Sequence, residues 1–194
     1  MLRCLRDFRR LNLWESVQCM KNFDMKLNLL GKIDEENVRM FIDNLKTVNA
    51  IHPDSNSLTI YISSPGGNVD MAVELYHFLR LLDCPIRTVN VSRVNSAGII
   101  PFAAGTERFC LRNSSFYLHS ITKKLDGSFT ADDLMREAKE MAANTDKVAE
   151  ILAQASDKNK SFWKRLMCKG YLLTSQKANE YGLANMLSEC EAKN

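Results

Sequence analysis

Short apolar runs alternate with longer amphipathic segments along most of the chain. Compact runs rich in β-branched residues predict strands, and apolar residues recurring every three or four positions predict helices. The predicted strands cover residues 26–30, 58–62, 86–91, 109–111 and 116–119, and the predicted helices cover residues 35–48, 70–82 and 97–104. This alternation favours right-handed βαβ crossovers and a largely parallel sheet. The predicted fold class is therefore α/β, with functional groups at the carboxyl ends of the strands.

A longer amphipathic segment, residues 130–155, follows these elements. Thr130, with Asp133 three residues later, is typical of a capping box at the start of a helix. The less polar positions recur at helical spacing: Leu134, Ala138, Met141, Ala142, Thr145, Val148 and Leu152. Charged residues fill the other positions, as in a solvated helix on the flank of a domain.

Composition and charge exclude several classes of protein. The chain has 194 residues and is 45% hydrophobic, which is enough for one domain with a substantial core. No run approaches the roughly 18 consecutive apolar residues of a membrane span, so we expect a soluble protein. The net charge of +3 is carried entirely by residues 1–13, and the remainder is neutral. A nucleic-acid-binding protein needs a basic face, so we expect no nucleic-acid partner.

The first 22 residues are predicted to form a basic extension before a main domain at residues 23–194. An amphipathic targeting or surface-binding helix, a plain terminal helix and an extension from an early start codon all fit this segment. It lacks the continuous apolar core of a secretory signal, so we do not expect export. The six cysteines show no paired C-x-x-C spacing. This pattern favours a reduced, cytoplasmic protein without structural zinc.

Ser96 stands where a strand-like run stops at small residues and a helix-like stretch begins. A hydroxyl at such a junction is lifted above the sheet edge, and the first backbone amides of the helix point at whatever reacts there. Serine is also a good helix cap, and caps far outnumber catalytic serines. The position alone therefore leaves a nucleophile and a cap as alternatives.

Two further features favour a nucleophile. The run SSPGGN at residues 63–68 closes a strand, and its paired glycines allow positive φ and a close approach to a bound group, although a plain turn has a similar sequence. His119, one of three histidines, ends a short apolar strand downstream of Ser96. A lone histidine there is more often structural, but this one is also a candidate general base.

Four motifs occur in a fixed order: IYISSPGG at residues 60–67, NSAG at 95–98 leading to AAG at 103–105, RFCLRNSS at 108–115 with Leu118 and His119, and ANEYGL at 178–183. With these motifs, the chain from about residue 23 to residue 187 resembles the proteolytic subunit of the Clp protease, within the ClpP/crotonase superfamily. The resemblance implies a βαβ superhelix with a largely parallel sheet. It also implies that residues 130–155 form a protruding handle helix between two stacked heptameric rings that enclose a proteolytic chamber.

The resemblance also assigns roles to individual residues. Ser96 matches the family's nucleophile and His119 its general base, while the backbone amides of Gly67 and Ala97 match the oxyanion hole. These roles agree with the chemistry, because a serine hydroxyl needs a base to remove its proton and an oxyanion needs preorganised donors. No metal and no cofactor are implied.

Two positions depart from the family pattern. Gly170 stands where the family has the aspartate that orients the base. A water, a backbone carbonyl, Asn185 or an acid such as Asp157 is a candidate for that role. After His119, residues 120–127 replace the family's Gln-Pro and glycine-rich strand, which leaves the substrate preference open.

The predicted function is a Clp-like serine endopeptidase that cuts peptides or unfolded chains within a homo-oligomer. By resemblance its partner is an AAA+ unfoldase, since the chain has no nucleotide-binding loop of its own. One alternative is a catalytically weak or inactive structural subunit, which the missing acid favours. The others are a Ser-Lys peptidase using Lys123, Lys124 or Lys169, a stand-alone or prohead-type peptidase, and a crotonase-like acyl-CoA enzyme.

Overall fold

Seven strands form one sheet in the computed structural model, which describes residues 25–52 and 55–187. The strands are β1 Met25–Leu30, β2 Leu58–Ser64, β3 Ile86–Asn95, β4 Glu107–Leu111, β5 Ser115–Leu118, β6 Tyr171–Thr174 and β7 Asn185–Leu187. The α-helices are α1 Glu35–Ile51, α2 Val69–Arg80, α3 Ile99–Ala103, α4 Ala131–Gln154, α5 Lys160–Lys169 and α6 Ser175–Glu180. A 3-10 turn, Ser96–Gly98, joins β3 to α3. The predicted basic extension at residues 1–22 lies outside the described residues.

The sheet is largely parallel. Its main order is β1-β2-β3-β4-β7, and each of these neighbouring pairs is parallel. β5 is parallel to β3, and β6 runs antiparallel to β5. Helices α1 and α2 supply the connections between the parallel strands β1, β2 and β3. The predicted α/β fold class is confirmed.

Strand β3 has two different partners along its length. Residues 87–90 pair with β4, and residues 93–95 pair with β5. Asn90 lies at the changeover, where its Nδ2 donates to the carbonyl of Ser115 (2.9 Å) and its Oδ1 accepts from the amide of Ser92 (3.1 Å). Since β5 pairs only with the last part of β3, the carboxyl ends of these two strands lie side by side.

Most predicted elements agree with the structure to within a few residues. Strand β3 differs most, because it was predicted to end at residue 91 and continues to Asn95. Pairing with β5 stabilises this polar continuation, which the hydrophobic pattern does not reveal. The predicted helix at residues 97–104 is a 3-10 turn followed by the five-residue helix α3. The pattern also misses the elements after residue 155.

The core lies between the sheet and its covering helices. Leu58, Ile60 and Ile62 of β2 are all fully buried, as expected for a central parallel strand that is covered on both faces. Phe41 of α1 and Leu75 of α2 are buried as well. None of the helices in the described part of the chain is long and apolar enough to cross a membrane.

Helix α4 begins with the predicted capping box, in which Thr130 and Asp133 exchange hydrogen bonds. Its two halves differ in burial. Val148 and Leu152 in the second half are buried, whereas Leu134 and Met135 in the first half are 49% and 54% exposed. Only the second half of α4 therefore contributes to the core of its own subunit.

Candidate active site

Ser96 has a strained backbone. Its φ is +51°, and it is the only non-glycine residue of the described chain with a positive φ. This conformation costs a residue with a Cβ about 1 kcal/mol or more, so the surrounding structure must hold it in place. A serine strained in this way between a strand and a helix presents its hydroxyl to the solvent side of the sheet edge.

The turn after β2 packs directly against Ser96. Gly66 has φ +99°, and a Cβ built on it would lie 2.6 Å from the Cβ of Ser96 and 2.9 Å from the carbonyl oxygen of Asn95. The amide of Gly66 donates to Oγ of Ser64 at 3.0 Å. Gly98, in the turn that contains Ser96, packs closely against Ser64, since a Cβ at Gly98 would lie 2.9 Å from the Cβ of Ser64. Only glycine permits this close packing of the two turns.

Gly67 is held by the segment after β1. The amide of Ile33 donates to the carbonyl of Gly66 (3.0 Å), and the amide of Asn68 donates to the carbonyl of Ile33 (2.7 Å). A Cβ on Gly67 would lie 2.2 Å from that Ile33 oxygen, which excludes any larger residue. Asn68 then caps α2 through its side chain. The corner is therefore rigid on both sides of Gly67.

The amides of Gly67 and Ala97 belong to the two turns that meet at this corner. The Cβ position of Gly66 lies 3.3 Å from the nitrogen of Ala97, which shows how closely the turns approach. In the described chain, neither amide donates a hydrogen bond to a turn, loop or cap acceptor. Both amides therefore remain candidate donors to an oxyanion.

His119 is the first residue after β5 and is half-buried. Its Nδ1 lies 2.6 Å from the carbonyl oxygen of Ser120. Because a carbonyl oxygen only accepts, this contact places the ring proton on Nδ1 and leaves the lone pair on Nε2. The ring of Tyr117 stacks against the imidazole, with centroids 5.6 Å apart and ring planes at 29°.

Ser96 and His119 line the same small cleft. Ala97, Leu118 and Met167 contribute to its walls. Asn95 links the two strands behind it, since its Oδ1 accepts from the amide of Tyr117 at 3.1 Å. No hydrogen bond joins Ser96 to His119 within residues 25–52 and 55–187. The bond between a nucleophile and its base commonly tightens only when substrate is bound.

Comparisons with known proteins agree with this architecture. A model of the Clp protease family matches residues 14–190. The chain belongs to the Clp protease family. The ATP-dependent Clp protease proteolytic subunit 2 of Treponema pallidum is 27% identical over 190 residues, covering 92% of this chain and 89% of that protein. Proteolytic subunit 1 of Rhodopirellula baltica is 31% identical over 130 residues, covering 66% and 56% of the respective chains.

The solved structure of a ClpP1 mutant from Listeria monocytogenes has the same fold. It matches with a TM-score of 0.74 at 20% identity, covering 91% of this chain and 98% of that chain. The resemblance predicted from the four sequence motifs is confirmed at the level of family and fold.

Gly170 distinguishes this chain from the Clp pattern predicted above. It ends α5 in the left-handed region, with φ +65°, and a Cβ built on it would lie 3.1 Å from the hydroxyl oxygen of Tyr117. The candidate Asp157 lies instead against Gly182, and Asn185 belongs to β7. In the described chain, no carboxylate lies within 4 Å of the imidazole of His119.

The ring of His119 is in contact with the backbone carbonyl of Ser120, and a backbone carbonyl is one of the four candidates from sequence for orienting it. The hydroxyl of Ser120 donates to the carbonyl of Met167 at 3.4 Å, which ties this residue to the last turn of α5. The stacking of Tyr117 against His119 was not predicted from the sequence. The signal that could have indicated it is the two-residue spacing, which places both side chains on one face of an extended strand.

Two of the three candidate lysines form ion pairs. Lys123 forms ion pairs with Glu137 and Glu140 of α4, and Lys124 pairs with Asp126. The hydrogen bond from Lys123 to Glu137 raises the pKa of the ammonium group. A lysine that acts as a general base needs the opposite shift.

Proposed function

We propose that the protein is a serine endopeptidase in which Ser96 is the nucleophile and His119 the general base. Nε2 of His119 takes the proton from Ser96 as Oγ forms a bond to the scissile carbonyl carbon. The amides of Gly67 and Ala97 donate to the resulting oxyanion. Collapse breaks the C–N bond, and the imidazolium gives its proton to the leaving amine. Water activated by His119 then hydrolyses the acyl-enzyme.

The observation that carries this proposal is the pairing of a strained Ser96 with His119 in one cleft. Strain at a single non-glycine residue is commonly retained at a functional site. The hydrogen bond from Nδ1 to Ser120 supports the base role, because it leaves Nε2 as the proton acceptor. A helix-capping role does not account for Ser96, since it makes no side-chain cap hydrogen bond in the described chain.

The substrates are proposed to be peptides or unfolded polypeptides, cleaved inside a homo-oligomer of stacked, heptameric rings. The exposed apolar residues Leu134 and Met135 on the first half of α4 support a contact between subunits there. Two relatives are named as ATP-dependent Clp proteases, which supports an AAA+ unfoldase as partner. The proposed location is the cytoplasm.

A second candidate is a catalytically weak or inactive subunit of such a ring. Gly170 favours it, because loss of the acid of a serine-protease triad can cost a factor on the order of 10⁴ in turnover. The Ser-Lys alternative is disfavoured by the ion pairs of Lys123.

Labelling with a fluorophosphonate probe, followed by mass spectrometry, tests the chemistry. We expect covalent modification of Ser96 that is lost in His119→Ala. Ser92→Ala, a change at an exposed serine of β3, serves as the control and should label normally. A protein that hydrolyses peptides but carries the label elsewhere contradicts the proposal. A stably assembled protein that neither labels nor hydrolyses peptides favours the inactive subunit.

Light scattering tests the assembly. We expect Met135→Glu to lower the particle mass, because it places a charge on the proposed contact surface of α4. Met40→Glu is a matched control, since Met40 lies on α1 and is 55% exposed, close to the 54% of Met135. A wild-type particle of about 22 kDa at every concentration excludes a closed chamber.

A further inference from the structure

Tyr117 is the aromatic neighbour of the proposed base, and its hydroxyl end lies beside Gly170. A Cβ on Gly170 would come within 3.1 Å of the Tyr117 hydroxyl and 4.0 Å of its ring. A side chain at position 170 would therefore require a small shift of the Tyr117 hydroxyl. The glycine leaves the tyrosine ring in its present position.

An acid beside a catalytic histidine has two effects. It fixes the tautomer and the orientation of the ring, and it stabilises the imidazolium that forms when the histidine takes a proton. Here the first effect has a visible source, since the carbonyl of Ser120 accepts from Nδ1 at 2.6 Å. The second effect needs a group with negative character next to the ring.

The ring face of Tyr117 is such a group. Aromatic faces carry negative electrostatic potential and attract cations whose centres lie within about 6 Å of the ring centroid. The observed separation of 5.6 Å between the Tyr117 and His119 centroids satisfies this condition. Two candidate cations are themselves neutralised, because Lys123 pairs with Glu137 and Glu140 and Lys124 with Asp126.

The backbone of Tyr117 is also anchored. Its amide donates to Oδ1 of Asn95, the residue before Ser96, and the strand pairs on both sides with β3 and β6. The ring is 39% exposed, so it is held by these backbone contacts and by its stacking rather than by deep burial.

We propose that Tyr117 is a positioning residue that holds the imidazole of His119 and stabilises its protonated form in place of a triad acid. This inference rests on the proposed function of His119. It predicts that the labelling of Ser96 depends on the aromatic ring at position 117 and not on the tyrosine hydroxyl.

The experiment compares four proteins: wild type, Tyr117→Phe, Tyr117→Leu and Leu172→Ala. Leucine retains apolar bulk at position 117 but removes the ring face. Leu172 is the cross-strand partner of Tyr117 on β6 and is 61% exposed, so its truncation perturbs the strand pair that holds Tyr117 while both stacked rings are retained. The measurements are the rate of Ser96 labelling across a range of pH and the NMR ring-proton signals of His119. The chain has only three histidines, so His119→Gln assigns these signals.

We expect Tyr117→Leu to label about tenfold more slowly near neutral pH, because a loosened base is misaligned with the nucleophile. The midpoint of its pH profile should fall, because the imidazolium loses a partly exposed cation–π contact. Tyr117→Phe and Leu172→Ala should match wild type in both respects. The ring-current shift of the His119 protons should be lost only in Tyr117→Leu.

Two results overturn the proposal: Tyr117→Leu with an unchanged pH midpoint, or Leu172→Ala with the same shift. If wild type does not label at all, the proposed catalytic function fails, and the NMR titration still decides the role of Tyr117. Equal His119 signals and equal titration midpoints in wild type and Tyr117→Leu would then exclude it. Thermal unfolding of each variant verifies that the folded state is retained.

Discussion

The two halves of the cleft are held in place by different physical means. On one side, Ser96 is fixed by glycine turns so tightly packed that a single Cβ at Gly66 would collide with it. On the other side, His119 follows the end of β5, half-buried, and the structure gives it one carbonyl contact and one stacked ring. The proposed nucleophile is thus constrained by steric exclusion and the proposed base by weak, directional contacts.

This difference indicates where the chain tolerates change. Backbone strain at Ser96 persists because the surrounding turns leave no alternative, and any change there is costly. The contacts around His119 are individually worth about 1 kcal/mol, so one can replace another without loss of the fold. Gly170, which stands where the family pattern has an aspartate, lies on this second, more tolerant side.

The largest effects should come from removing either reacting group. We expect Ser96→Ala and His119→Ala each to lower peptide hydrolysis by a factor of about 10⁴, because the two groups act as a unit. The double variant should be little worse than either single one. Steady-state kinetics on purified proteins provide the measurement, with Ser92→Ala as control. Additive losses in the double variant would show that the two halves act independently.

Much of the Ser96 side could be predicted from sequence, and less of the His119 side. Paired glycines and a serine between a strand and a helix report steric requirements, which depend on residue type and are therefore visible in the chain. The Ser120 carbonyl is a backbone group, and no residue type marks its role. The two-residue spacing places Tyr117 and His119 on one face of the predicted strand, but spacing alone does not show that the two rings stack.

The fold, too, could be predicted from the sequence only in part. The alternation of strands and helices predicts the parallel sheet, because apolar periodicity reports which face each element buries. It does not predict the continuation of β3 to Asn95, since that polar segment is stabilised by pairing with β5 rather than by burial of apolar side chains. This continuation brings the two halves of the cleft together.

A second prediction separates strain from packing on the Ser96 side. Gly66 and Gly31 both have φ +99°, but a Cβ at Gly31 would meet nothing closer than 3.9 Å. Gly66→Ala should label Ser96 about 100-fold more slowly and lower the free energy of unfolding by about 3 kcal/mol, through strain and overpacking together. Gly31→Ala should lower the free energy of unfolding by about 1 kcal/mol and label Ser96 at the wild-type rate.

Chemical denaturation and the labelling rate provide these two quantities. Equal losses of stability in Gly66→Ala and Gly31→Ala would mean that the close approach to Ser96 contributes nothing. Ser96 would then not be held in place by steric exclusion.

A third prediction concerns the acid on the tolerant side. Gly170→Asp and Gly170→Asn both introduce a Cβ at φ +65° and displace the Tyr117 hydroxyl, but only aspartate adds a charge. Both should lose about 1 kcal/mol of stability. Aspartate should label Ser96 about fivefold faster than asparagine, because a carboxylate stabilises the imidazolium. Gly170→Ala, measured in parallel, gives the cost of the Cβ alone. Equal rates for aspartate and asparagine would show that the carboxylate does not reach His119.

The smallest effect should be a pH dependence of stability that belongs to a buried residue of the sheet, Cys110 on β4. Burial of Cys110 on β4 raises the pKa of its thiol to about 12, with a smaller opposing contribution from a hydrogen bond with Ser114. The folded state therefore retains this proton at pH values where the unfolded chain has released it, and stability falls as pH rises from about 9 toward 12.

Between pH 8 and pH 10, wild type should lose about 1 kcal/mol more unfolding free energy than Cys110→Ala. Denaturant unfolding at both pH values measures this difference in slope, which is independent of the stability that the alanine variant loses through its smaller side chain. Parallel slopes would show that Cys110 ionises without penalty and that the sheet around β4 is less tightly closed than its burial indicates.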